Sequence, residues 1–217
     1  MRLNKYLADQ NIASRREADA LIKAGLVFIN GKRAALGVDV KPTDKVTLRE
    51  NRVKTLAYFA YHKPKGVDSV TGFNPDAEIP KGVALVGRLD KDASGLMIAT
   101  NDGRLTRRLI GPQSKIDQEY RLIIDKKITP WFMRHLTAKL NAIALPNSST
   151  TLHQLSEDTL SLILIGNSKA PLKHFITELE ASLKTLHRLR IGPIRLSSLK
   201  SGQVRELTPD EIQTLLN

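Results

Sequence analysis

The chain has 217 residues, with 34 Lys and Arg against 22 Asp and Glu and a formal charge of +12, a balance that favours a polyanionic partner held by phosphate neutralisation. It contains no cysteine, which excludes disulfides, thiol catalysis and cysteine-ligated zinc. His62, His135, His153, His174 and His187 show no close ligand spacing, so no metal site is expected. No apolar run approaches the roughly 20 residues needed to span a bilayer, and residues 1–5 lead into an amphipathic segment rather than a secretory signal. A cytoplasmic protein with no membrane association is therefore expected.

Residues 2–8 place Leu3, Tyr6 and Leu7 on one helical face, and Ser14-Arg15-Arg16-Glu17 has the S-x-x-E form of a capping box. The apolar stripe continues through Ala18, Leu21 and Ile22, Gly25 reads as the helix stop, and Val27-Phe28-Ile29 reads as a strand before a tight Asn30-Gly31 turn. Val38, Val40, Val46 and Leu48 add strand-like positions. This helix, helix, hairpin order, with R-L-N-K-Y-L, S-R-R-E-A and V-F-I-N-G-K, resembles the S4 RNA-binding domain across roughly the first fifty residues. The resemblance implies that Arg2, Lys5, Arg15, Arg16, Lys23, Lys32 and Arg33 face RNA phosphates, which position a protein without reading sequence. Taken singly, each reads as a solvated surface charge; as a set they read as a phosphate-binding face. Arg15 and Arg16 open a helix where acidic residues are usual, which points to binding rather than helix stability.

Residues 51–57 are charged or patternless and read as a linker between a domain of residues 1–50 and one of residues 58–217. Further on, residues 83–86 and 96–99 are apolar runs of strand length, and the polar residues between them with Gly95 read as a loop joining two buried strands. Asp90 sits in that loop beside Arg88. A neighbouring cation favours an ionised carboxylate, and a substrate closing over it strips away water, which are the requirements for a carboxylate nucleophile. An isolated R-L-D tripeptide would instead read as a turn in which Asp90 pairs with Arg88 or Lys91. The longer run, G-R-L-D followed by Ser94-Gly95-Leu96 and Thr100-Asn101-Asp102-Gly103, resembles the catalytic signature of the bacterial ribosomal-RNA pseudouridine synthases. That resemblance implies that Asp90 is the nucleophile. His62-Lys63-Pro64-Lys65-Gly66-Val67 resembles the segment that opens the family's catalytic domain, with His62 where Asn is usual. Lys63 there either contacts phosphate or lies exposed beside a proline turn.

Downstream, residues 117–122 resemble the family's K-x-Y motif, with Gln118 where lysine is usual and Tyr120 as the aromatic. Tyr120 reads either as a platform for an extruded uracil or as a strand residue of the core, and its distance from Asp90 matches the family layout. Residues 160–165 supply a strand, after which residues 166–175 lack most basic and amide side chains of the family's third motif. Registering backward from Leu186-His187-Arg188-Leu189-Arg190-Ile191-Gly192-Pro193-Ile194 places Lys173 on the position of a basic residue expected to pair with Asp90. Leu172, Phe175, Ile176, Leu179, Leu183 and Leu186 read as one helical core stripe opened near Pro171. At the end, Thr208 as cap, Pro209 at the first helical position and Glu211 as reciprocal cap define a last helix.

These readings define an α+β chain: a small S4-like helix and β-hairpin domain, then a pseudouridine-synthase domain on a mostly antiparallel sheet. The resemblance implies isomerisation of a specific uridine to pseudouridine in ribosomal RNA, large-subunit 23S RNA favoured, without cofactor or metal and as a monomer. Asp90, Arg88, Tyr120 and Lys173 form the expected catalytic set, and Lys63 joins the S4 cations as an RNA contact. The eroded third motif supports a different reading, a catalytically weak or inactive synthase-fold protein that binds RNA during ribosome assembly.

Overall fold

The computed structural model describes residues 1–10, 12–49, 55–73, 79–80, 82–111, 113–143, 149–165 and 172–217. Most of the expected linker and residues 166–171 of the third motif lie outside the described residues. The chain divides into two compact units, Met1–Leu56 with Asp102–Arg104, and Ala57–Asn101 with Leu105–Asn217.

The first unit carries α1 (Leu3–Asp9), α2 (Arg15–Lys23), β1 (Val27–Ile29), β2 (Lys32–Arg33) and β3 (Val46–Leu48). Ser14 and Glu17 form the expected capping box at the start of α2. The helix ends in a Schellman motif: Gly25 adopts φ +69°, its N–H donates to Ile22 O, and Leu26 N–H donates to Leu21 O. Asn30 and Gly31 both have positive φ and join β1 to β2 in a two-residue turn with Ile29 opposite Lys32. Strand β3 pairs on the other side of β1, Val27 opposite Leu48. Val38 and Val40 lie outside any strand; next to them Arg2 and Asp39 form an isolated bridge. Leu3, Leu7 and Val27 are almost wholly buried, each worth roughly 1.5–3 kcal/mol of apolar burial.

The second unit is built on β4 (Tyr58–Lys63), β5 (Ala84–Val86), β6 (Ser94–Thr100), β7 (Asp117–Ile124), β8 (Ser149–Gln154), β9 (Thr159–Ile165), β10 (Leu183–Ile191), β11 (Ile194–Arg195) and β12 (Val204–Glu206). These strands form one sheet in the order β12-β4-β6-β10-β7-β9-β8, with β11 on β10 and β5 on β6. Every pairing is antiparallel except that of β6 with β10, so the sheet is mostly antiparallel as expected.

Four helices belong with the sheet: α3 (Gly103–Ile110), α4 (Pro130–Ala142), α5 (Leu172–Glu178) and α6 (Pro209–Leu216). The strands alternate. Ala60, Leu96 and Ile98 share a core with Leu105 and Leu109 of α3 and Leu215 of α6. Tyr61, Met97 and Leu122 share another with Phe132 and Leu136 of α4 and Phe175 and Ile176 of α5. The period of two thus gives each face of the sheet its own helical cover.

One expectation fails. The stripe from Leu172 to Leu186 is not a single helix, because α5 stops at Glu178 and Leu183 and Leu186 lie on β10. The stop is a second Schellman motif, with Glu180 N–H donating to Thr177 O and Ala181 N–H to Ile176 O. Glu180 takes the left-handed position at φ +55°, where glycine would have announced the end.

Candidate active site

Strand β6 uses two neighbours along one edge: Ile98–Thr100 faces β5, while Ser94 and Gly95 pair with His187 and Arg188 of β10. Asp90 lies on the loop that enters this junction. The backbone comes so close that a Cβ on Gly95, at φ +119°, would stand 2.3 Å from Arg188 O and 2.5 Å from Arg188 N. The S-G-L of the motif therefore has a packing reason as well as a turn reason.

Several bonds pin the loop. Leu89 and Ala93 are buried on either side of the exposed Asp90. Leu89 N–H donates to Ser69 Oγ (3.3 Å), Ala93 N–H to Asp90 O (3.0 Å) and Gly66 N–H to Lys91 O (2.8 Å). The exposed Asp90 thus sits on a fixed shoulder, with Arg88, Lys91 and Asp92 exposed beside it.

Lys63 is not exposed beside the proline turn: it is 0% exposed. Its ammonium donates to Pro64 O (2.9 Å), Val67 O (2.7 Å) and Lys91 O (3.5 Å), so the side chain ties the turn after β4 to the Asp90 loop. Burial pulls its pKa below the usual lysine range; the charges of Asp68, Asp90 and Asp92 oppose that, and Arg188 adds to it. Lys63 is therefore within electrostatic reach of both Asp90 and Arg188.

Asp90 lines a cleft of about 800 Å³ walled by the loop, α5 and β10, together with Asp92, Lys65, Lys173, His174 and Lys184. Lys173 is at this cleft but does not pair with Asp90. Its Nζ lies 3.5 Å from Asp92 Oδ2, both side chains being largely exposed. Arg88 is exposed and, like Lys173, forms no ion pair with Asp90 among the described residues; its charge, after hydrogen bonds from Val70 and Thr71, helps hold Asp68 below the usual carboxylate range. The expected pairing of Asp90 with Arg88 and Lys173 is therefore replaced by a carboxylate free of ion pairs in a cation-rich cleft.

Tyr120 takes the core position rather than an open stacking face. It is 9% exposed and packs in the same core as Leu89 and Ala93, while its hydroxyl donates to Gln118 Oε1 (2.8 Å). The same Gln118 oxygen accepts from Arg188 Nη1 (3.0 Å), which also lies 3.4 Å from Tyr120 Oη. Arg188 Nε donates to Leu96 O (2.6 Å). Its Nη2 is buried and has no hydrogen-bond partner among the described residues, an expensive arrangement for a guanidinium that is 4% exposed. Sequence reading passed over Arg188 as a site residue, although an arginine within an apolar strand pattern was a usable signal.

On the opposite side chains of the same strands, His187 Nδ1 and Ser94 Oγ are 2.8 Å apart, and His62 meets His187 edge to face at 5.3 Å between ring centres. Burial, then the charges of His62 and Arg121, lowers the pKa of His187. Among the described residues no group of three His, Asp or Glu is placed to hold a metal ion, and no helix is long and apolar enough to cross a membrane.

In the first unit all seven expected RNA-facing cations are exposed. Two of them are already engaged: Arg2 donates to Gly37 O and sits 3.8 Å from Asp39, and Arg33 donates to Gly25 O (3.1 Å) and Ala24 O (3.3 Å), capping the end of α2. The carbonyls of a helix C-terminus are natural acceptors for a guanidinium. Lys5, Arg15, Arg16, Lys23 and Lys32 form no ion pair among the described residues.

The first unit is thus a basic two-helix module, and the second a mostly antiparallel sheet domain with an exposed carboxylate in a cleft lined by lysines. Residues 1–46 match the S4 domain model and residues 57–185 match the RNA pseudouridylate synthase model. The dual-specificity RNA pseudouridine synthase RluF of Escherichia coli (strain K12) is 32% identical over 98% of this chain and 77% of that protein. The ribosomal large subunit pseudouridine synthase B of Bacillus subtilis (strain 168) is 32% identical over 99% of this chain and 95% of that protein. A crystal structure of a pseudouridylate synthase shares the fold, with TM-score 0.67 at 24% identity over 99% of both chains. The chain belongs to the RNA pseudouridine synthase family, with an S4 domain at its N-terminal end. It is an RNA-binding isomerase that forms pseudouridine in RNA.

Proposed function

We propose that the chain converts a specific uridine of ribosomal RNA, in the large subunit, and that Asp90 is the nucleophile. The observation that carries this reading is the exposed Asp90 carboxylate, without an ion-pair partner among the described residues, on a loop pinned by Lys63, Ser69 and Gly66. In the reaction the N1–C1′ bond of the nucleoside breaks, the uracil turns while held, and a C5–C1′ bond forms. The C5 proton leaves and N1 gains one, so no atom is added and no cofactor is needed. Asp90 attacks the sugar or assists cleavage of the glycosidic bond; where it adds to C1′ as N1 leaves, that C–O bond breaks again as C5–C1′ forms, which returns the free carboxylate. Extruding the base from a helix costs a few kcal/mol, which the cations at the cleft help to offset through the flanking phosphates.

The other expected residues take modified roles. Lys63 and Arg188 are positioning residues: two buried cations, Lys63 tied to the Asp90 loop through Lys91 O and Arg188 held in place by Gln118 and Tyr120. Lys173 and Arg88 serve the rim, where Lys173 meets either Asp92 or an incoming phosphate. Residues 1–50 supply backbone affinity through Lys5, Arg15, Arg16, Lys23 and Lys32, joined by a linker at residues 51–57 to the catalytic domain of residues 58–217. The protein works as a cytoplasmic monomer. The large-subunit target draws support from the name of the Bacillus subtilis relative. Pseudouridine mapping of ribosomal RNA from cells with and without the protein tests the target: loss of one large-subunit pseudouridine supports it, and an unchanged large-subunit map contradicts it.

A further inference from the structure

The outer face of α4 is exposed. Phe132, Leu136 and Leu140 are buried against the sheet, whereas Trp131, Arg134 and His135 share the exposed face one turn apart. Trp131 is 50% exposed, and it is the single tryptophan of the chain. Leaving half an indole in water forfeits much of the apolar burial such a ring offers.

The ring is also held in place. The imidazole of His135 stacks on the indole at 4.1 Å between ring centres and an interplanar angle of 30°. His135 Nδ1 lies 2.8 Å from Trp131 O; a carbonyl oxygen only accepts, so Nδ1 carries the proton and donates. A ring fixed in this way loses little further freedom when a partner stacks on it.

The chemistry of the surroundings selects the partner. The first turn of α4 carries no acidic residue, and Arg134 is exposed one turn on from Trp131. Lys126 is exposed in the turn before the helix. No other large exposed apolar side chain lies on the helix, so the face offers one aromatic plane with the Arg134 cation beside it and lacks the broad apolar patch of a protein-docking surface. An unpaired base flanked by phosphates meets both features, since base stacking on aromatics and phosphate neutralisation by Arg and Lys are the two elements of single-strand binding.

We infer that Trp131, held by His135 and with Arg134 beside it on the same helix face, is a stacking platform for an unpaired base of the RNA substrate, outside the Asp90 cleft. The inference rests on RNA being the substrate.

The single tryptophan makes the test direct. Indole emission of the wild-type chain is titrated with a short single-stranded RNA and with the same RNA in duplex form, while anisotropy of labelled RNA reports binding independently. The single strand should change the emission saturably, in step with the anisotropy, and the duplex much less. Trp131→Ala should weaken single-strand binding by about fivefold or more, with Trp131→Phe recovering most of it. RNA that binds by anisotropy with the emission unchanged, or a Trp131→Ala chain that binds as tightly as wild type, overturns the platform alone. Emission that follows protein concentration and ignores RNA assigns the face to self-association and overturns it too. Absence of any RNA binding by the wild type overturns the RNA reading together with the platform.

Discussion

Replacing Gly95 by alanine attacks the junction on which the proposed site depends. At φ +119° the residue is in a region that side chains rarely adopt, a backbone cost of about 1–3 kcal/mol. The new methyl would meet Arg188 backbone atoms at 2.3 and 2.5 Å, and those atoms belong to a strand paired on both sides, so relief requires β6 and β10 to part. Overpacking of this kind costs about a further 1–3 kcal/mol. The sum, about 2–6 kcal/mol, is a large share of the roughly 5–15 kcal/mol by which folded chains are stable. It corresponds to a fall in melting temperature of about 5–20 °C for a chain of this length. Thermal unfolding by circular dichroism measures this, with Gly103→Ala as the control, because a methyl there meets nothing within 4 Å and should leave the melting temperature near wild type. The folded fraction of Gly95→Ala should also lose pseudouridine formation, since the Asp90 loop enters the same junction. A Gly95→Ala chain melting within about 2 °C of wild type would refute the reasoning.

Two further predictions concern charge. His187 has a lowered pKa in the folded chain, so the fold favours its neutral form and the unfolded chain takes up the proton first as pH falls. Its contribution is full above its ordinary value of 6.5 and is lost as the pH falls through the lowered folded value, at no more than about 1.4 kcal/mol per pH unit for one proton. Denaturant titrations between roughly pH 7 and 5, above the range in which the lowered carboxylates titrate, should show a shallower decline for His187→Gln than for wild type; parallel curves would remove His187 from the account. In the first unit, changing Arg15, Arg16 and Lys23 together to alanine should reduce the slope of log affinity against log salt by about two to three, and an unaltered slope would make them ordinary surface charges.

How much of this was legible depended on the range of the signal. The first unit announces itself through neighbours in sequence: Ser14 with Glu17, Gly25 at the helix end and Asn30-Gly31 at the turn all behave as their local chemistry dictates. The Asp90 loop was legible for the same reason, being bounded by two apolar runs that become β5 and β6. The end of α5 was not, because Glu180 occupies a left-handed position without the glycine that usually marks one. Lys63 has two local acceptors, Pro64 O and Val67 O, but its approach to Lys91 O, 28 residues away, has no local signal, and Arg188 was overlooked since its partners Leu96, Gln118 and Tyr120 come from two other strands. Lys173 was placed at the right cleft but given the wrong carboxylate, a choice of two residues along one loop that only side-chain geometry decides.

The central claim is that Asp90 performs the chemistry, and the direct measurement is pseudouridine formation by purified Asp90→Asn on substrate RNA, with RNA affinity measured on the same sample. The amide keeps the size of the side chain and loses the nucleophilic charge, and Asp90 makes no side-chain bond among the described residues that would be sacrificed. The account predicts no pseudouridine above background and an affinity within severalfold of wild type; turnover comparable to wild type would contradict it.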